Sequence, residues 1–202
     1  MKLKEQKKES PIEEPIQEPA KENKEKLDVS RRECTLSKKM QELLLRQLVS
    51  EMYNHNLYLS FANYYGVRGF SKLEEYYVAR ANEEKTHYSW IYYWLNYNDV
   101  EFIHPEVPAI KEEWDTMEKP FDLTVDKEIA TTQDIYEMVD LAWEERDYNT
   151  YKWLMADDPK TGALVAEQAE EESLSRTVRD MANSDASWLR KENSILEFYK
   201  NH

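Results

Sequence analysis

From Leu36 onward, apolar positions recur in steps of three and four, the period that lines one face of an α-helix. The first such stretch predicts a helix over 37–65 whose inward seam reads Leu44, Leu48, Glu51, His55, Tyr58, Ala62 and Tyr65. Gly66 and Gly69 end it, and Ser71 is the expected N-cap of a second helix reaching about Asn98. Its seam is Leu73, Tyr77, Arg80, Glu84, His87, Ile91 and Trp94. A connection of about 25 residues follows, with Pro105, Pro108 and Pro120 excluding regular helix through most of it. Thr124 is the expected cap of a third helix, with seam Glu128, Thr132, Ile135, Val139 and Ala142. Residues 147–150 read as a turn. A fourth helix is clearest over 161–181, with Leu164, Gln168, Glu171, Leu174 and Val178 facing in, and a short last helix spans 187–199. The pattern is that of an all-α chain: a four-helix bundle with a long crossover between its second and third helices and a short C-terminal fifth helix.

Residues 1–33 have no such period. They carry no aromatic side chain, and Pro11, Pro15 and Pro19 fall every fourth residue, which forbids a stable helix. So little apolar area cannot offset the entropy of ordering, and the reading is a disordered arm over 1–35 followed by one domain over 36–202. The arm is neutral, with nine basic and nine acidic groups. The body holds 18 basic and 32 acidic groups and carries the whole net charge of −14. That surplus repels phosphate backbones, so nucleic acid is not an expected partner, and it attracts cations.

Composition narrows the chemistry further. Three glycines are too few for a β-sandwich or a glycine-rich phosphate loop. The single cysteine, Cys34, rules out an internal disulfide, a Cys-x-x-Cys zinc site and an iron–sulfur cluster. No apolar run reaches the length of a membrane span, the charged N-terminus does not read as a signal peptide, and the expected location is cytoplasmic.

The unusual feature is a carboxylate in the middle of each long seam: Glu51, Glu84, Glu128 and Glu171. An unpaired buried carboxylate costs several kcal/mol, roughly, unless something positive shares its site. Their spacing brings them together. The midpoint of Glu51 and Glu84 lies between Gly66 and Gly69, so an antiparallel hairpin turning there sets both at one height. The midpoint of Glu128 and Glu171 lies in the 147–150 turn, and a crossover running the length of the bundle levels the two pairs. His87 stands three residues after Glu84, on the same helical face. Four carboxylates and an imidazole, with no thiolate, favour iron or manganese over structural zinc, in the arrangement of a dinuclear carboxylate centre.

Three stretches carry a resemblance to a known family. Asn-Glu-Glu-Lys-Thr-His at 82–87, Glu-Gln-Ala-Glu-Glu-Glu at 167–172, and the Glu51 and Tyr58 pair seven residues apart are similar to the helix signatures of bacterial non-haem ferritins. The resemblance runs from about Leu44 to Tyr199 and implies a ferritin-like fold. It implies that Glu51, Glu84 and His87 hold a first iron, with Glu84 bridging to a second held by Glu128 and Glu171, with Gln168 nearby. Tyr58 would lie beside the pair. A third iron site would match Glu83, Glu167 and Glu170, with Glu171 shared. The implied activity is that of a ferroxidase: Fe(II) and O2 or H2O2 react at the di-iron centre, and ferric mineral is stored in a hollow homo-oligomeric cage of 24 subunits. Two alternatives are a cage that buffers iron with weak or no oxidation, and a ferritin-like di-metal oxidase of another kind.

Related families differ at identifiable residues. Bacterioferritins repeat Glu-x-x-His on the fourth helix, where 169–174 contains no histidine, and place their haem methionine where this chain has Lys85; no haem is expected. One cysteine does not supply the cysteine-ligated iron of rubrerythrin-like proteins, and ligands on all four helices differ from the dimer-interface sites of mini-ferritins. The stretch 153–162 is about seven residues longer than the family pattern, and Asp157 and Asp158 within it are candidates for reshaping an ion channel. His55 reads as a hydrogen-bonded core histidine, with an extra ligand as the alternative. Tyr92, Tyr93, Trp94 and Tyr97 suit a subunit contact.

Overall fold

The computed structural model describes residues 34–156 and 163–202. Residues 1–33 of the expected arm over 1–35 therefore lie outside the described residues, as do Asp157, Asp158, Pro159 and the expected start of the fourth helix at Thr161. Six helices occur among the described residues: α1 (Lys38–Gly66), α2 (Ser71–Tyr97), α3 (Lys119–Glu144), α4 (Tyr148–Leu154), α5 (Leu164–Ala182) and α6 (Trp188–Lys200). No helix among them is long and apolar enough to cross a membrane.

The four long helices form the bundle, and contacts between them fix its directions. Tyr58 meets Tyr77, while His55 bonds the Ala81 carbonyl, so α1 and α2 run antiparallel. Tyr77 reaches Thr124 and Arg80 reaches Glu128, so α2 and α3 run parallel, as the crossover requires. That crossover packs Phe102 against one end of the bundle and Ile110, Trp114 and Met117 against the other. The interior divides accordingly. One end is largely aliphatic, built from residues such as Leu44, Leu48, Ile91, Ile135 and Leu164; the other is aromatic, with Tyr58, Phe61, Tyr65, Tyr76, Tyr77 and Phe121 fully buried. The acidic level of the seams lies between them.

Several local expectations are corrected. Ser37 does cap α1, accepting from the Met40 amide at 3.0 Å. Ser71, however, is the first residue of α2; Phe70 holds the cap position and makes no side-chain capping bond. Gly69 has φ of +84°, a conformation that side chains resist, and it closes the α1–α2 turn. Thr124 is interior to α3, where its hydroxyl bonds the Pro120 carbonyl at 2.8 Å. Pro120 does not block the helix but occupies its first turn, where a missing N–H costs nothing. The supposed turn at 147–150 instead starts α4, with Asp147 accepting from the Thr150 amide at 3.0 Å. Trp153 and Leu154 of α4 are buried, and Trp153 stacks on Trp94 at 4.6 Å between ring centroids. The short C-terminal helix is thus the sixth rather than the fifth. It packs along α2, with Tyr199 edge-on to Tyr76 and Lys72 hydrogen-bonded to Asn193.

Candidate metal centre

Each long bundle helix delivers one buried carboxylate to a common level: Glu51 from α1, Glu84 from α2, Glu128 from α3 and Glu171 from α5. His87, one turn along α2 from Glu84, is buried beside them. These side chains make two triads that share a corner. Glu51, Glu84 and His87 each offer a donor atom within 4.8 Å of the others, and so do Glu84, Glu128 and Glu171. The shared corner follows from topology. The α1–α2 hairpin levels Glu51 with Glu84, and the parallel α2–α3 arrangement levels Glu84 with Glu128.

The charges are in conflict as they stand. Burial pushes the Glu84 carboxyl well above the usual range, and the facing Glu128, Glu51 and Glu171 push the same way. Burial likewise raises Glu171 to about 7, against the pull of His87 and Arg80. For His87, burial opposes the charge, but Glu171 and Glu51 outweigh it and lift the imidazole to about 9. Burial also opposes ionisation of Glu51, yet His87 holds that carboxyl below its ordinary value. The ring nitrogens of His87 stand 3.7 Å from Glu51 Oε2 and 3.6 Å from Glu171 Oε1, ion-pair range without tight hydrogen bonds.

Three buried carboxylate oxygens lack any hydrogen-bond partner: Glu51 Oε2, Glu84 Oε1 and Glu171 Oε2. Native interiors rarely leave such atoms unsatisfied. Hard divalent cations are the ligands that carboxylate oxygens and one imidazole suit, and the orphaned oxygens fit that role. Such a cation would displace the protons that the site otherwise retains.

The second triad is differently furnished. Glu128 Oε1 accepts from the Tyr58 hydroxyl at 2.6 Å and from Arg80 Nη2 at 2.7 Å, and its Oε2 accepts from Gln168 Nε2 at 2.8 Å. Tyr58 and Gln168 therefore hold Glu128 in place. Arg80 is fully buried and also reaches Glu171 Oε1 at 3.3 Å and Glu83 Oε2 at 2.6 Å. Arg80 stands in the seam as expected, but sequence reasoning attached no role to it. A cation one turn before Glu84, in the same inward register, was the available signal.

Glu83, Glu167 and Glu170 are not drawn into either triad. Glu83 and Glu167 are half-buried and Glu170 is exposed. With Arg80, Glu171, Tyr199 and His202 they line an adjoining pocket of about 400 Å³. Tyr199 of α6 donates to Glu83 Oε1 at 2.6 Å, so the C-terminal helix forms part of that wall. His55 points elsewhere: its Nδ1 lies 2.6 Å from the Ala81 carbonyl oxygen, outside both triads.

A four-helix bundle with one inward carboxylate per helix and a Glu-x-x-His pair defines a carboxylate-rich metal-binding bundle. The chain belongs to the ferritin family: the family model described as a ferritin-like domain matches residues 41–181. Among curated relatives, it is 28% identical over 148 residues to a probable bacterial non-heme ferritin-like protein of Haemophilus influenzae, covering 73% of this chain and 86% of that protein. It is 30% identical over 145 residues to the bacterial non-heme ferritin of Campylobacter jejuni, covering 72% and 83%. Among solved structures, an open pore ferritin from Archaeoglobus fulgidus superposes with a TM-score of 0.71 at 26% identity, over 82% of this chain and 97% of that one. Chlorobium tepidum ferritin gives a TM-score of 0.68 at 26% identity, over 83% and 96%.

Proposed function

We propose that this chain is an iron-storage ferritin that oxidises Fe(II) at a di-iron ferroxidase centre within each subunit and stores the ferric product. The observation that carries the reading is the pair of buried triads sharing Glu84. Glu51, Glu84 and His87 bind the first Fe(II); Glu84, Glu128 and Glu171 bind the second, with Gln168 holding Glu128. Two Fe(II) side by side each give one electron, so O2 and two protons become H2O2 while both irons become Fe(III). Carboxylates suit this use because they are hard, anionic and able to change between bridging and terminal binding. Tyr58, hydrogen-bonded to Glu128, orients that ligand and would supply an electron or a hydrogen bond beside the reacting pair.

Glu83, Glu167, Glu170 and Glu171 form the third iron position, in the pocket beside the centre. Oxidised iron then moves into the interior of a homo-oligomeric cage, for which we propose 24 subunits. The net charge of −14 draws Fe(II) toward the protein. The cytoplasm is the compartment proposed, because its reducing conditions keep both Fe(II) and a free thiol such as Cys34. Haem has no part in this reading: Lys85, exposed on α2, stands where bacterioferritins would place the haem ligand.

Anaerobic Fe(II) titration followed by oxygen exposure tests the proposal, with absorbance as the readout, on wild type and Glu84→Ala. Fast oxidation at two or three irons per subunit, lost in the variant, is the expected result. Oxidation no faster than in buffer for both proteins refutes it. A cage that binds iron without efficient oxidation would then be the reading, and the buried Arg80 in the second triad is what favours it.

A further inference from the structure

Arg80 occupies the ground that a second metal ion would need. Its Nη2 lies 2.7 Å from Glu128 Oε1 and its Nη1 3.3 Å from Glu171 Oε1, so the guanidinium spans two of the three carboxylates in the second triad. A divalent ion binds such oxygens at roughly 2.0–2.2 Å and would compete with the guanidinium for Glu128 and Glu171 while being repelled by its charge. The first triad contains no cationic side chain apart from His87 itself, and Glu51 Oε2 and Glu84 Oε1 are without hydrogen-bond partners. Unlike a histidine, arginine cannot release its charge by losing a proton, so this cation can leave only by moving.

Somewhere for it to go is present. Nη1 already bonds Glu83 Oε2 at 2.6 Å, and Glu83 faces the 400 Å³ pocket lined by Glu167, Glu170, Tyr199 and His202. Arg80 Nε is buried without a partner, so the present position does not use all its donors. A rotation toward Glu83 would exchange Glu128 and Glu171 Oε1 for Glu83, Glu167 and Glu170.

We propose that Arg80 is a resident counter-ion of the second metal position, so that the centre fills in two unequal steps. The first ion enters at Glu51, Glu84 and His87; the second enters only when the guanidinium swings off Glu128 and Glu171 toward Glu83. The inference rests on the ferroxidase-centre reading and adds to it an order of filling. A unit charge about 4 Å from a singly charged ion, at an effective dielectric constant near 20, changes affinity by on the order of 1,000-fold. Moving the guanidinium away recovers part of that, leaving roughly 100-fold or more. The gap between the two steps should be of that size.

Co(II), which is redox-quiet here and has a visible spectrum sensitive to its ligands, serves as the probe. It is titrated into the assembled wild-type protein, Arg80→Gln, Arg80→Lys and Glu84→Ala, by calorimetry and absorbance, counting only the equivalents that Glu84→Ala loses. Wild type should bind one such equivalent at least 100-fold more tightly than a second. Arg80→Gln should narrow that gap at least tenfold, leaving what the repulsion between two dications imposes, and Arg80→Lys, which keeps the charge, should retain it. Two equal steps in wild type overturn the proposal without reference to any variant, so it stays testable even if Arg80→Gln fails to fold. A gap of unchanged size in Arg80→Gln also overturns it. If Glu84→Ala loses no equivalents, the centre itself is misassigned, and the Arg80 proposal falls with it for that separate reason.

Discussion

The two sides of Glu84 treat buried carboxylates in opposite ways. On the Glu51 side, a fully buried carboxylate takes one hydrogen bond, from Gln47 at 2.7 Å, and leaves its other oxygen unpaired. On the Glu128 side, both oxygens are occupied, by Tyr58 and Arg80 on one and Gln168 on the other. Glu51 is left open to a ligand, whereas Glu128 is held by a satisfied hydrogen-bond network that also stabilises the bundle. The same residue type at the same depth is therefore open in one place and already partnered in the other.

The largest expected effect separates these roles directly. Glu128→Ala removes the partner of a buried guanidinium and should destabilise the metal-free protein by about 3–5 kcal/mol. Glu51→Ala removes a looser ion pair, to a histidine that can release its proton, together with one hydrogen bond from Gln47, and should cost less, about 1–2 kcal/mol. In Co(II) binding the ranking inverts, with Glu51→Ala abolishing the tight equivalent. Denaturation of both metal-free variants checks the comparison, and equal loss of stability would break it.

A smaller effect tests whether the network on the Glu128 side is cooperative. Tyr58→Phe deletes one charge-assisted donor and should cost about 2 kcal/mol. Paired with Gln168→Leu in a double-mutant cycle, it should show a coupling energy on the order of 1 kcal/mol, since both donors hold the same carboxylate. Additive losses would mean that each donor acts alone. His55→Gln makes a useful contrast. Its bond to the Ala81 carbonyl is worth about 1 kcal/mol, and the number of metal equivalents should not change.

How legible this was in the sequence depends on which physical rule governs each residue. The seams of α1 and α2 follow helical period closely, and among the predicted positions only His55 and Trp94 are less than fully buried. The α3 seam was half a step off: Thr131 and Met138 are buried where Thr132 and Val139 were expected, because a wide apolar stripe permits either neighbour. In α5, Ser175 is more deeply buried than Leu174 for the same reason. Helix α4 is legible in the helical spacing of Thr150, Trp153 and Leu154, but Asp147 suits a turn as well as a cap, so the sequence alone does not choose between them. Arg80 is less legible, because a seam carboxylate is answered equally well by a metal ion or by a cation in the same seam, and spacing alone does not separate the two. The pairing of Tyr58 and Gln168 with one carboxylate depends on rotamers, which no periodicity specifies.

Glu112 supplies a third treatment of a carboxylate and the smallest effect. It lies on the crossover, half-buried, where Lys127 Nζ approaches to 2.5 Å and the Tyr53 hydroxyl donates to its other oxygen. Burial works against its charge, but Lys127 and Tyr53 outweigh that and hold the carboxyl at about 2, below its ordinary 4.5. A carboxyl whose folded value is depressed adds stability above its unfolded value and loses it as pH falls through the folded one. Glu112→Gln should therefore cost about 1 kcal/mol at neutral pH, since surface-level ion pairs contribute little. The difference from wild type should be constant above about pH 5 and shrink between pH 4.5 and 2. Chemical denaturation of both proteins across that range measures it. A difference that does not depend on pH would show that Glu112 fastens the crossover by shape and packing alone, leaving Glu128 as the carboxylate through which charge stabilises this fold.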